Sequence, residues 1–336
     1  MGYDLGYDLG YGLDRNLGDV AQRMAMIDDG APRVALVDAA WVAQQLVPPT
    51  GQDIVALKNA HGFPQARRAG MRFVLGVLGG HPLVNVVMSD RSRFVLASLA
   101  LVLHHARFPG DPETGLTVTR LRRWYLETGL GSAARASAGI ALMRWAGYLE
   151  SSRDPDDNRR RILVPTERFL DMHKSRWRAN LEIVATIVPD VREALALVDR
   201  PAFAPTFAVA QATQYFSGFR FVEHAPELKP FLDRNGGFAI LLQLALSGEE
   251  LGAAAQNATV PLSVFGLARR FGVSRAQVHR VLRAAEEAGL LKWRDRSIEV
   301  RPPLREAFDS FFAAAFLFNA ACARVAAAAI PAPAGI

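Results

Sequence analysis

A single cysteine, Cys322, is all the thiol that the 336 residues contain. One thiol cannot build an internal disulfide framework, and the shortage fits a reducing, cytoplasmic compartment. Metal-ligand spacing is also missing: His104 and His105 are adjacent on one expected helix and point in different directions, and no cysteine cluster helps them. No Gly-x-Ser-x-Gly, activated cysteine or paired-carboxylate arrangement occurs. "GVLGG" at 76–80 lacks both the Lys-Ser/Thr of a phosphate loop and the Gly-x-Gly-x-x-Gly spacing. These absences argue against an enzyme, a cofactor and a bound metal. A basic start followed by an apolar run is also absent, so no secretory signal is expected. The apolar stretch "FDSFFAAAFLFNAACARVAAAAI" is broken by Asp309, Asn319 and Arg324. Charged groups cost a few kcal/mol each in a bilayer, so this stretch reads as a buried interface helix and no membrane partner is expected.

What the sequence does have is apolar mass and localised positive charge. Half of it is hydrophobic, which excludes global disorder, and its length allows two or three domains. The net charge of +6 says little until it is located. Residues 116–161 hold nine arginines against five acids, and residues 260–301 hold nine basic residues against four acids. The remainder of the chain is therefore net acidic. Two confined basic segments are the electrostatic footprint of a polyanion binder.

Along the chain, "MGYDLGYDLGYGLDRNLGD" is an acidic, low-complexity repeat and opens a flexible N-terminal arm over 1–50, with a short helix near 35–46 closed by "VPPTG". Residues 52–60 and 65–79 read as mixed helix and loop. From Ser89 the pattern is regular: a helix over "SDRSRFVLASLALVLHHARF", a loop at 109–115, helices at 117–129 and 131–149, a hairpin, and a long helix from Thr166 to 188. The second half repeats that order. "GGFAILLQLALSGEEL" is followed by a helix at 262–272, another opened by Ser274, a hairpin over "LLKWRDRSIEVR" and a long C-terminal helix. Placing "MRWAGYLES" on "AEEAGLLKW" sets Gly147 on Gly289, so the chain reads as an internal duplication. The expected units are 51–200 and 201–336, the second ending in an interface helix.

Each copy looks like a winged helix-turn-helix domain, giving a mainly α fold class with small β-hairpin wings and long packing helices. The second copy carries the clearer pattern, Ala-Arg-Arg-Phe-Gly, a turn into Val-Ser-Arg, and a helix finishing Ala-Gly-Leu-Leu. Gly272 suits the positive φ of the turn, Ser274 the N-cap, and Gln277 the third position of a capping box. At about 100° per residue, Val278, Val281, Leu282 and Ala285 share one arc, and Arg275, His279, Arg280 and Arg283 fill the opposite one. A helix of this kind fits a major groove, where an arginine grips guanine O6 and N7. Arg275, Gln277, His279 and Arg280 are the candidates for base contacts, with Ser274, Arg283, Arg294 and Arg296 on the backbone.

The first copy has a different surface. Its second helix buries Ala136, Gly139, Ile140 and Met143 and turns outward Ala133, Ala134, Ser137, Ala138 and Ala141, with Arg135 on the flank and Ser132 as cap. Its charge lies on Arg120, Arg122 and Arg123 and on hairpin residues Arg153, Arg159, Arg160 and Arg161, positions suited to phosphate contacts.

The hairpin "SRDPDDNRRRILVPTERF" resembles the wing of the MarR family, an acidic-then-arginine tip followed by a strand and a Thr-led helix. Val164-Pro165-Thr166 stands where the family usually has Leu-Thr. The resemblance implies a winged-helix repressor or activator of transcription that binds double-stranded DNA, normally a homodimer joined through its terminal helices, often responsive to small aromatic or phenolic effectors. With two copies in one chain, the long helices 166–188 and 305–329 are expected to pack together as an intrachain pseudo-dimer. Two other readings stay open: a replication initiator-like tandem winged-helix protein, and a winged-helix protein-interaction module.

Overall fold

A computed structural model describes residues 37–80, 88, 90–106, 114–252, 258–294 and 296–331. The Gly-Tyr-Asp-Leu repeat and Ser89 lie outside them. The fold is mainly α-helical with two small antiparallel sheets.

Side-chain caps set most helix starts. Asp38 opens α1 (Ala39–Gln45), Thr50 opens α2 (Gly51–Lys58), and α3 (Phe63–Gly80) follows after a short turn. Thr50 and Asp53 form a complete reciprocal box, which satisfies two of the free N–H groups every helix start exposes. Asp90 caps α4 (Arg91–His105), Thr117 caps α5 (Val118–Glu127) and Ser132 caps α6 (Ala133–Trp145). The hairpin β1 (Leu149–Arg153) and β2 (Arg161–Pro165) runs in register Leu149↔Pro165 to Arg153↔Arg161, and Thr166 caps α7 (Glu167–Val184). Then come α8 (Val191–Ala196), α9 (Phe203–Phe216), two short 3₁₀ turns, α10 (Lys229–Leu232) and α11 (Gly237–Gly252). The chain closes with β3 (Ala258–Pro261), α12 (Val264–Phe271), α13 (Arg275–Glu287), β4 (Leu291–Arg294), β5 (Ser297–Val300) and α14 (Pro302–Ala328). The second sheet has the order β3-β5-β4.

The repeated order is visible element by element. Helices α6 and α13 are both 13 residues long and start 142 positions apart. Glycines at 147 and 289 both take φ +70 just after them. The third strand of the second sheet has a remnant in the first half, where the Leu163 N–H donates to the Leu116 carbonyl at 2.9 Å. Helices α2 and α8, and likewise α3 and α9, occupy matching places before their own copies.

The packing of these flanking helices is reciprocal. Helix α3 of the first half packs on α11 of the second, and α9 of the second half packs on α4 of the first. Helix α2 lies on α14, and α8 lies on α7. The buried side chains consequently form one continuous core across both halves. Burying hydrophobic surface at about 25 cal/mol per Å² makes this shared core the main source of stability.

Three expectations change. Residues 37–50 are not arm: Val42 of α1 is buried and α1 packs on α9, because its apolar residues recur at helical spacing behind the Asp38 cap. Residues 51–58 and 63–80 are regular helices where mixed helix and loop was expected. The C-terminal helix does pack on α7 as expected, but its larger partner is α9, and α2 and α8 cover it further. Its apolar faces are thus filled by its own chain, which leaves little for a second copy to bury. Among the described residues α14 is the one helix long and apolar enough to cross a membrane, and two thirds of its most apolar stretch is buried inside the fold.

Two histidines, His173 buried and His105 half-buried, give the core a pH dependence. His173 is enclosed by the rings of Phe169 and Trp177, and its Nδ1 faces Arg176 Nη2 at 3.1 Å. Burial, and then the Arg176 charge, push its pKa well below 6.5; burial and then His104 lower His105 to about 4. The unfolded chain therefore binds more protons than the folded one below pH 6.5, so stability is full above that pH and falls on acidification. A loss on the order of 2 kcal/mol between pH 6.5 and 5 is expected. Thermal melts of the wild type and of His105→Gln/His173→Gln check this; the double variant should show a flatter profile over that range.

Candidate nucleic-acid interface

Helix α12 ends where Gly272 takes φ +64, a left-handed conformation that costs a residue with a Cβ about 1 kcal/mol or more. The chain then turns through Val273 into Ser274, whose Oγ accepts from the Gln277 N–H at 3.1 Å and starts α13. Only half of the expected capping box forms. The Gln277 side chain donates instead to the Asn235 carbonyl at 3.2 Å, because the end of α10 and the start of α11 bring that carbonyl within reach. The Gln277 side chain is thereby partly withdrawn from the exposed face where a base contact was expected of it.

The two arcs of α13 are separated as the helical wheel requires. Val278, Val281, Leu282 and Ala285 have no solvent exposure and seat the helix on α11, α12 and β4. Arg275, His279, Arg280 and Arg283 are exposed. The Arg275 guanidinium lies 5.1 Å from the ring of Phe265, an exposed side chain of α12. Such a cation–π contact fixes the direction of a long side chain while leaving its N–H groups free. His279 rests 5.1 Å from the Trp293 ring of β4, and the Trp293 N–H donates to Glu286 at 2.8 Å, so the hairpin and α13 are held as one surface. Arg280 and Arg283 meet no carboxylate among the described residues. Arg294 is held by Glu299 at 2.8 Å, which keeps the Glu299 carboxyl below its usual pKa, while Arg296 is exposed at the hairpin turn. Phe265 and Trp293 were not anticipated. An exposed aromatic next to a basic face was the available signal.

The corresponding surface of the first half is weaker. Ser132 caps α6 through the Arg135 N–H at 3.3 Å, and the Ser137 hydroxyl donates to the Ala133 carbonyl at 2.9 Å, which uses its only proton. Ala134, Ser137, Ala138 and Ala141 are exposed as expected, and the Gly139 backbone lies so close to Leu96 that a Cβ there would stand 2.4 Å from it. Arg135 reaches Asp90, the cap of α4, at 3.5 Å. Arg122 is exposed, Arg123 is exposed and 3.4 Å from Glu127, and Arg120 is partly buried.

In the hairpin, Arg153, Arg159 and Arg161 are exposed and Arg160 is not available in the same way. Arg160 bonds the Thr114 carbonyl at 3.0 Å and approaches the buried Asp154 at 3.4 Å. It ties the hairpin tip to the segment before α5, so its place is structural and not on the outer face. Arg153 and Arg161 stand directly opposite in the strand register. Like charges so placed repel, by about 0.2–1 kcal/mol, unless an anion lies between them.

Comparison with family models, with curated proteins and with solved structures finds no match to this chain.

Proposed function

We propose that the chain is a regulator of transcription that binds double-stranded DNA through two winged-helix units, paired within one polypeptide. The observation that carries this is α13: an apolar arc with no exposure, and an opposite arc offering four basic side chains to solvent behind a glycine-serine turn. The apolar arc anchors the helix, so the basic arc is held out as a ridge of the width a major groove admits. Arg275 stands in the first turn, nearest the base edges when a recognition helix enters by its N-terminus. His279 and Arg280 follow one turn later, while Arg283 and the hairpin cations Lys292 and Arg296 flank the ridge where phosphates would run.

The first half contributes affinity more than sequence reading. Its α6 face is alanine with a spent serine hydroxyl, so it has few groups that can read a base edge. Arg122, Arg153, Arg159 and Arg161 are free for phosphates, and the opposed Arg153–Arg161 pair is relieved when a phosphate sits between them. The preferred site is therefore asymmetric, with one specified half read by α13. Homology to the MarR family would fit this arrangement, with each half in the place of one protomer.

Selection of bound duplexes from a random pool, followed by titration on the winning site, tests the reading. One strongly preferred half-site with a degenerate neighbour supports it. A palindromic consensus would refute the division of labour, and no enrichment at all would remove DNA as the partner. Glutamine at Arg153, Arg159 and Arg161 together should weaken every sequence alike and reduce the salt slope by about 2–3, read by titration between about 50 and 200 mM salt.

A further inference from the structure

A cavity of about 270 Å³ lies at the junction of the two halves. Its walls come from α3, α4 and α7 of the first half and from α9, α10, α11 and α14 of the second. Most of the lining is apolar, with Phe312 and Phe316 on one wall and Phe94 on another. Among the polar groups on the wall, Gln211 and Asn319 satisfy each other at 3.2 Å, Arg91 pairs with Asp233 at 2.8 Å, and Arg220 pairs with Glu223 at 3.7 Å through Nη1 while its buried Nε has no partner.

One turn of α7 gathers three more unpartnered groups. Arg176, Trp177 and Asn180 all line the cavity, and Arg176 Nε, Trp177 Nε1 and Asn180 Oδ1 are each shielded from solvent with no hydrogen-bond partner. Three such atoms on one helical turn are unusual, since buried polar groups are almost always paired. Arg176 has no carboxylate at ion-pair distance among the described residues. Its neighbours are the Phe94 ring at 5.1 Å and the His173 Nδ1 at 3.1 Å. Asp90 also lines the cavity, but it already caps α4 and stands 3.5 Å from both Arg93 and Arg135. Burial without a counter-charge lowers the Arg176 pKa to about 10.

We propose that this cavity binds a small amphipathic carboxylate, its head group on Arg176, Trp177 and Asn180 and its apolar body among the phenylalanines. A carboxylate accepts from the guanidinium, and the Trp177 indole N–H and the Asn180 NH₂ reach it once those side chains turn toward the cavity. The ion pair so formed supplies the charge that the site lacks. A volume of this size suits a small organic acid. That chemistry is met by a medium-chain alkyl acid or by an aryl-alkyl acid. Because the walls come from both halves, one molecule is bound per chain.

Calorimetric titration of the full chain, with no DNA present, separates this site from the DNA reading. The probes are octanoate, 3-phenylpropanoate, 1-octanol and inorganic phosphate. Saturable binding of at least one acid at one per chain is expected, with the alcohol and phosphate weaker by about tenfold or more. The stronger of the two acids identifies the source class. Arg176→Gln should weaken the acid about tenfold or more, and Ala315→Trp, which fills the cavity, should abolish binding. Melting curves report whether each variant is folded, and Asn180→Leu replaces Arg176→Gln if the latter is not. Saturation by neither acid overturns the proposal, as does an alcohol bound as tightly as the acid. A folded Arg176 or Asn180 variant with wild-type affinity overturns it too.

Discussion

Alanine at Arg275, Arg280 and Arg283 together is expected to lower affinity for the selected duplex by about 10²–10³ while leaving the melting temperature within a degree or two. Each side chain is exposed, and the contact of Arg275 with the exposed Phe265 ring of α12 is a small one, so the folded state has little to lose. A good base or phosphate contact from arginine is worth about 1–3 kcal/mol, and three such contacts compound. The single change Arg275→Ala separates reading from holding. It removes the residue fixed over Phe265 at the first turn, so binding to the preferred site should fall while binding to unrelated duplexes holds, relaxing preference by about tenfold or more. Fluorescence anisotropy with the selected and a scrambled duplex at fixed salt measures both. If the triple variant binds as the wild type does, the basic ridge is a solvated face and the proposed function fails.

The second large effect concerns Arg67, near the start of α3. Its guanidinium pairs with Glu249 of α11 at 2.7 Å and also bonds Asp309 of α14. Arg67 and Glu249 are almost wholly buried, and burial is the leading reason that the Asp309 pKa is raised. One arginine from the first half thus neutralises two acids from the second. Arg67→Met would strand both carboxylates in a low-dielectric junction, where loss of one partner costs about 3–5 kcal/mol. A drop of several degrees in Tm is expected at pH 7. The sign of the pH dependence follows. In the variant, burial without a counter-charge keeps the Asp309 carboxyl above its unfolded value, so the penalty is absent below that value near 4 and grows as pH rises through the folded one. Melting at pH 4 and at pH 7 should show a much smaller deficit in acid. Arg67→Met with Glu249→Gln and Asp309→Asn should recover most of the loss, which a purely packing role for Arg67 would not allow.

Much of the local structure was legible in the sequence because short-range chemistry specifies it. Ser132, Thr166 and Ser274 cap the helices they announce, and Gly272 takes the left-handed turn its position asks for. The two arcs of α13 follow from helical periodicity alone. Long-range features were not legible in the same way. The Gln277 side chain is diverted by a carbonyl 42 residues away, and Arg160 is diverted by Thr114 and Asp154. Neither competitor is visible from a neighbouring motif. Helix α3 looked like mixed helix and loop because its glycines lower intrinsic propensity, whereas packing on five other helices holds it in shape. The strand β3 was missed since four residues give too short a pattern to register. The junction cavity could not be foreseen either, because its lining is gathered from seven helices spread over most of the chain.

The exchange of flanking helices between the halves has a physical consequence for the molecule at low abundance. Two separate subunits sharing such an interface would come apart on dilution, and could trade partners with relatives. A covalent tether sets the local concentration of one half around the other by linker length and not by expression level. It also releases the two surfaces from self-complementarity, so one exposed helix face can lose its charged groups while the other keeps them.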